Sequence, residues 1–354
     1  MRALPCPLPH ALVAAAMAAT LLSACSGGDK AGAGKTPAYL VYATNEGSGD
    51  ISIIDPTTMT EISKIAIGKR PRGLVASPDG RTLYVAVSGS ANAGPGVDES
   101  KLPPPDKAAD GIVVIDLTSR KVLRTLRGIS DPEQMAISPD GTRLYVASED
   151  TGELVMISPD GRMLGKLEVG GQPEGIGVSA DGKTILATSE ENHTVAILRG
   201  TPPAVTARVD VGARPRNAVF LDQTRAVVPG EFDASLSVVD LTTAKRTRTI
   251  TLDKSDRPMG VAPIDAKTIL LTTGRGGRLV RIDVDAKGDG VTGSVAVGKR
   301  PWGLAMSPDN SRAFTANGPS NDITAVDPKT MKVVGRVTVG TGPWGVRAVA
   351  TPGQ

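Results

Sequence analysis

A proline-centred anchor recurs seven times along this chain, and no other feature restricts its folding so strongly. The anchors are Arg70-Pro71-Arg72-Gly73, Asp131-Pro132-Glu133, Gln172-Pro173-Glu174-Gly175, Arg214-Pro215-Arg216, Arg257-Pro258-Met259-Gly260, Arg300-Pro301-Trp302-Gly303 and Gly342-Pro343-Trp344-Gly345. Successive prolines are 61, 41, 42, 43, 43 and 42 residues apart. The first interval holds an insertion, so the period is about 42, within the range of four-stranded repeat units arranged around a ring.

Each unit repeats one internal grammar. A short apolar strand follows the anchor, then a tight turn such as Pro78-Asp79-Gly80 or Pro139-Asp140-Gly141. Pro presets the first turn angle, while Asp and Gly tolerate the reversal. A second strand comes next, as in Leu83-Tyr84-Val85-Ala86, and a third runs to an Asp, as in Ile51 to Asp55 or Ile323 to Asp327. A fourth leads into Val-Gly or Ile-Gly before the next anchor. The β-branched residues of the third strand suit a half-buried strand, and a period of two with turns every eight to ten residues leaves no room for helices.

The two ends are complementary. Residues 39–70 hold strands two, three and four without a first strand, and 343–354 hold an anchor and one strand. Joining them gives an all-β, seven-bladed β-propeller over 39–354, closed by a split blade that leaves no free edge in the ring. The insertion at 88–110 joins strands two and three of the first complete blade. It belongs on the same face as the anchors, over the channel mouth.

The strand-two segments Tyr42-Ala43-Thr44-Asn45, Tyr84-Val85-Ala86-Val87, Tyr145-Val146-Ala147-Ser148 and Phe314-Thr315-Ala316-Asn317, with the Ser-Pro-Asp-Gly turns and Pro-Trp-Gly anchors, resemble the YVTN-type β-propellers. The likeness covers 39–350. It is nearest to exported propellers associated with quinone-dependent (PQQ) alcohol oxidation, and more distant from the d1-haem propeller of cytochrome cd1 and from seven-bladed lactonases. The resemblance implies a protein partner such as a periplasmic quinone-dependent dehydrogenase or its electron carrier. Propellers host unrelated functions, so the likeness speaks to fold more than to activity.

The first 24 residues read as an export signal, with Arg2 ahead of an apolar run from Ala11 to Leu22. That run is short for a membrane span. It ends in Leu22-Ser23-Ala24-Cys25, which resembles a bacterial lipobox in which Cys25 is lipidated, and 25–38 then forms a flexible tether. Ser26 after the Cys implies outer-membrane sorting, hence an exported, periplasm-facing lipoprotein. Without 1–24 the chain carries 39 basic against 37 acidic residues. This near-neutral balance with no basic stripe argues against nucleic acid, and a monomer is expected. Cys6, Cys25 and His10 all precede the repeats, leaving His193 as the single Cys or His of the propeller. An internal disulfide, a Cys/His zinc site and a covalent haem attachment are thereby excluded, and neither a metal nor a cofactor is assigned.

The candidate site is the channel mouth, where Arg72, Glu133, Glu174, Arg216, Arg257, Arg300, Trp302 and Trp344 converge with His193 of the neighbouring loop. Arg forks suit carboxylates or phosphates, and Trp supplies a flat apolar wall. One reading is a pocket for a small anionic or planar ligand. The other is pairing of Arg with acid between blades while Trp packs the seam. Glu149, Asp150, Glu190, Glu191 and Glu231 fall in the same loops, where they read as solvated charges with a cation site as the alternative. No catalytic constellation is evident, which favours a non-catalytic ligand- or protein-binding role. Two alternatives stay open. One is lactone hydrolysis, with Arg72 or Arg216 polarising the carbonyl and Glu174 or His193 as base. The other is tetrapyrrole binding between the Trp and Arg residues.

Overall fold

The turns and anchors close as local chemistry dictates. In the Ser-Pro-Asp-Gly turns the serine and the following backbone converge on the Asp carboxylate: Ser77 Oγ donates to Asp79 Oδ1 at 2.5 Å, and the Arg81 N–H donates to the same oxygen at 3.0 Å. The Asp ending strand three caps the next turn, as the Thr57 N–H donates to Asp55 at 2.7 Å and the Ser119 N–H to Asp116 at 2.6 Å. The computed structural model describes residues 37–91 and 101–351. The export signal, Cys25 and most of the tether lie outside the described residues, as does the middle of the insertion.

Seven four-stranded antiparallel sheets result, each pairing neighbours in simple up-and-down order. We number the blades by anchor. Blade 1 comprises Pro71–Ala76, Thr82–Val87, Gly111–Asp116 and Lys121–Leu126. Blades 2 to 6 start their inner strands at or after Pro132, Pro173, Pro215, Pro258 and Pro301. Blade 7 is the split one: Pro343–Ala350 is its inner strand, paired antiparallel with Tyr39–Asn45, and Asp50–Asp55 and Thr60–Ala66 follow outward. Two short 3-10 turns, Glu149–Thr151 and Gly318–Ser320, interrupt the strands. No helix there is long and apolar enough to cross a membrane.

The hydrophobic core consists of seven seams between adjacent blades. Val75, Tyr84 and Ile112 of blade 1 meet Met135, Leu144 and Val155 of blade 2, and equivalent clusters fill the other junctions. Blade 7 packs on both sides: Val41, Ile54 and Val346 meet Phe314 of blade 6, while Tyr42, Ile51 and Val349 meet Leu83 and Val85 of blade 1. Because both faces of each sheet meet a neighbour, the middle strands are buried throughout and lose the alternation of a one-sided sheet.

The signature residues of strand two hold the ring tight. Thr44 Oγ donates to the Arg72 carbonyl of the next blade at 2.8 Å and accepts from the Gly345 N–H of its own blade at 2.8 Å. Asn45 Nδ2 donates to Asp50 at 2.6 Å and Ser52 at 2.8 Å, tying strand two to strand three. The glycine two residues after the anchor Pro is required by closeness. A Cβ on Gly303 would stand 2.5 Å from the Trp344 carbonyl oxygen, and one on Gly345 equally near that of Arg72.

Candidate functional site

The residue before each anchor Pro adopts a left-handed backbone, with φ between 42° and 66° from Arg70 to Gly342. Six of these seven residues are not glycine, and the conformation costs each of them some strain. It turns the chain sharply at the channel mouth and sets the residue after each Pro in one layer. Read around the ring, that layer is Arg72, Glu133, Glu174, Arg216, Met259, Trp302 and Trp344.

The first four members form a buried charge seam. Arg72 pairs with Glu133 of blade 2 and approaches Glu46 of blade 7 at 3.5 Å. Arg70 reaches Glu46 at 3.0 Å and Asp131 at 3.3 Å. Arg216 faces three carboxylates: Glu231 at 2.7 Å, Glu174 at 3.4 Å and Glu190 in closer contact still. Arg214 adds a second bond to Glu190 at 2.7 Å. Burial alone would depress the Arg216 pKa, but Glu190, Glu174 and Glu231 together raise it. Burial pushes the Glu174 carboxyl up to about 7 against the pull of Arg216 and Arg72, with Glu190 and Glu149 adding to the rise. Glu190 is raised for the same reason.

The other three members form an apolar wall. Trp302 and Trp344 stack with centroids 5.8 Å apart and planes 26° from parallel. The Arg72 guanidinium lies 4.8 Å above Trp344 and that of Arg216 4.9 Å above Trp302. On the outer side the Arg300 guanidinium sits 4.7 Å over Trp302, and Arg257 4.8 Å over Phe232. Phe232 is 54% exposed, unusual for a phenyl ring beside a mouth of charges. Burial lowers the Arg300 pKa, opposed by the carboxylates of Glu231 and Glu46 and reinforced by Arg216 and Arg214. Neither Arg257 nor Arg300 forms an ion pair among the described residues.

Above this layer the mouth opens into a funnel of about 1250 Å³. Arg72, Glu174, Arg216, Arg257, Arg300, Trp302 and Trp344 line it, as the sequence pattern anticipates. Glu133 does not: it is wholly buried against Arg72. His193 does not either. It occupies the exposed outer rim with a left-handed backbone (φ 55°), and its Nδ1 accepts the Arg214 N–H at 3.3 Å. Reading Glu190 and Glu231 as solvated is corrected too, since both are buried acceptors for Arg216. The carboxylates that do converge are Asp131, Glu133 and Glu149, and Arg70 and Arg72 already neutralise the first two. The described part of the insertion lies on this face: Lys107 pairs with Asp150, and Leu102, Pro103 and Pro105 edge a side cavity of about 630 Å³.

The architecture and the comparisons agree. The YNCE-like beta-propeller family matches residues 7–164. This chain is a seven-bladed β-propeller whose N-terminal part matches that family. Antigen Lp49 of Leptospira interrogans is 30% identical over 205 residues, an alignment covering 45% of this chain and 45% of that protein. The chain thus spans less than half the length of the curated relative it matches. A candidate 6-phosphogluconolactonase from Bacteroides uniformis superposes with a TM-score of 0.71 at 17% identity, over 88% of this chain and 100% of that one. The dihydro-heme d1 dehydrogenase NirN, in complex with DHE, gives a TM-score of 0.62 at 16% identity, over 88% and 75%. At these identities the two structures show a shared fold alone.

Proposed function

We propose that this propeller is a non-catalytic binding protein whose funnel takes a small planar anion. One observation carries the reading: Arg257 and Arg300 form no ion pair among the described residues, and each lies over an aromatic ring at the funnel wall. With Arg275 and Lys299 they make blades 5 and 6 a cationic sector, whereas the acids of blades 2 to 4 are held by Arg70, Arg72, Arg214 and Arg216. An arginine on an aromatic face offers its edge to carboxylate or phosphate oxygens, and the ring next to it stacks a flat body. Lactone hydrolysis finds less support. Of its two candidate bases, His193 lies outside the funnel, and Glu174 is held in the Arg216 seam.

Pyrene-1-carboxylate is a suitable probe. We expect saturable binding by the full chain, at least ten-fold weaker in Arg257→Gln/Arg300→Gln, with the melting temperature of that variant unchanged. Equal binding by wild type and variant, or no binding at all, overturns the reading.

As to place, we read the chain as a Cys25-lipidated envelope protein serving an exported quinone-dependent oxidation system, on the strength of the lipobox and the repeat resemblance. Cys25→Ala should move it from the membrane fraction to the soluble periplasm or block its processing. An Ala variant that stays membrane-bound in high salt contradicts lipidation.

A further inference from the structure

Aligned on the anchor prolines, the inner strands carry a second layer four residues on. Its members are Val75, Ala136, Gly177, Val219, Ala262, Ala305 and Arg347. Six are small and apolar, and blade 7 alone places a charge there.

All seven line a second cavity of about 810 Å³, which shares Glu174, Arg216, Met259 and the Trp302–Trp344 pair with the funnel and reaches the Pro-Asp turns of the opposite face at Pro308 and Asn310. Leu74, Ile137, Val178, Phe220 and Met306 give its walls apolar stretches, shared with the polar Gln134, Asn217, Ser307 and Asn310. The Arg347 side chain is solvent-exposed within this channel, and the protein around it lowers its pKa by desolvation, with no neighbouring charge acting on it. It makes no hydrogen bond, ion pair or ring contact among the described residues. The one carboxylate on the cavity lining is Glu174, at the upper end, and Arg216 already holds it. Trp344 forms part of the roof, and its indole N–H is buried without an acceptor.

An arginine stays protonated under any physiological condition, and with no acid beside it this guanidinium presents its full charge to the channel. Its fork matches a carboxylate bidentately. The volume lies within the range of small-molecule sites, which combine apolar walls with few polar groups. We infer that the lower channel is a second binding site, for an amphipathic monocarboxylate whose head pairs with Arg347 and whose apolar body lies along the channel wall. This site is distinct from the funnel and does not depend on what the funnel binds.

The two tryptophans of the chain, Trp302 and Trp344, line both this cavity and the funnel, so bromine quenching of their fluorescence reports binding at either, and the variants assign it. Titrating the full chain with 10-bromodecanoate should give saturable quenching. Binding should weaken at least ten-fold in Arg347→Gln and for the uncharged 10-bromodecan-1-ol. It should be unchanged in Arg257→Gln/Arg300→Gln, which separates it from the funnel. Arg347→Lys keeps the charge and loses the fork, and should bind between wild type and Arg347→Gln. If Arg347→Gln melts early, the lysine variant and the alcohol carry the comparison. Absent quenching, equal quenching by acid and alcohol, or wild-type affinity in both Arg347 variants overturns the inference, as does loss of binding in the funnel variant.

Discussion

Arg216→Met is the sharpest probe of the charge seam. The native guanidinium is 6% exposed and answers three carboxylates, Glu174, Glu190 and Glu231. Methionine keeps much of the side-chain volume over Trp302 but leaves the acids without their shared partner, although Arg214 still reaches Glu190. Removing one member of a buried ion pair costs about 3–5 kcal/mol. In a domain of this size each kcal/mol moves the melting temperature by roughly 2 °C, so a loss of roughly 6–10 °C is expected near pH 7.5.

The pH dependence tests the cause. Glu174 has a folded pKa of about 7 against an ordinary 4.5, so between those values the folded chain holds a proton that the unfolded chain has released. Stability therefore falls as pH rises through this window. Arg216 is the strongest influence opposing that rise, ahead of Arg72, while Glu190 and Glu149 reinforce it. Removing Arg216 lifts the folded pKa further and extends the loss upward in pH. Circular-dichroism melts from pH 5 to 8 should show the variant nearest wild type at pH 5 and furthest from it at pH 8. A variant within 2 °C of wild type at pH 7.5, or a deficit independent of pH, refutes the seam as drawn. Arg257→Met, with no acid to abandon, serves as the control.

Other consequences are as direct. Deleting 343–354 removes the inner strand of blade 7 and opens the seams with blades 6 and 1, so aggregation or a large drop in melting temperature is expected, whereas deleting 26–36 should leave the melt unchanged. Equal small effects from both deletions would contradict ring closure. Thr44→Val keeps the shape but strands the Gly345 N–H and the Arg72 carbonyl, for a loss of about 1–3 kcal/mol in denaturant unfolding. A Val variant as stable as wild type would show that the bridge between blades 7 and 1 is dispensable.

Anchors, turns and ring closure were legible in the sequence because each rests on a local pattern that the period repeats seven times. Partner choice was not. Whether Arg72 meets Glu133 or a ligand depends on how far neighbouring inner strands approach, and that distance is set by Gly73, whose Cβ would stand 2.4 Å from the Glu133 carbonyl oxygen. Glu46, Glu190 and Glu231 sit in loops between strands two and three, where spacing does not say whether a side chain turns inward or outward. His193 was misplaced in the funnel for the same reason. Arg347 did leave a signal, as the one charge in a layer of small residues, but it shows only when the repeats are compared at a position past the anchor itself.

The ring is regular in backbone and irregular in chemistry, and the irregularity is ordered. After each Pro the layer reads Arg, Glu, Glu, Arg, Met, Trp, Trp. Two arginines bracket two glutamates, so charge is consumed within the first four blades and most of their contribution is structural. The last three supply apolar surface, and the arginines one residue upstream in blades 5 and 6 then meet aromatic faces in place of acids. Exchange of acid for aromatic side chains is what leaves Arg257 and Arg300 without an ion pair among the described residues. In blade 7 the residue before Pro is Gly342, and the charge appears four residues after the Pro, as Arg347 beneath the tryptophans. The Trp pair thus lines both the funnel with Arg257 and Arg300 and the channel with Arg347, so substituting either tryptophan by alanine should weaken binding of pyrene-1-carboxylate and of 10-bromodecanoate together, whereas loss of only one would show that the pair serves a single site.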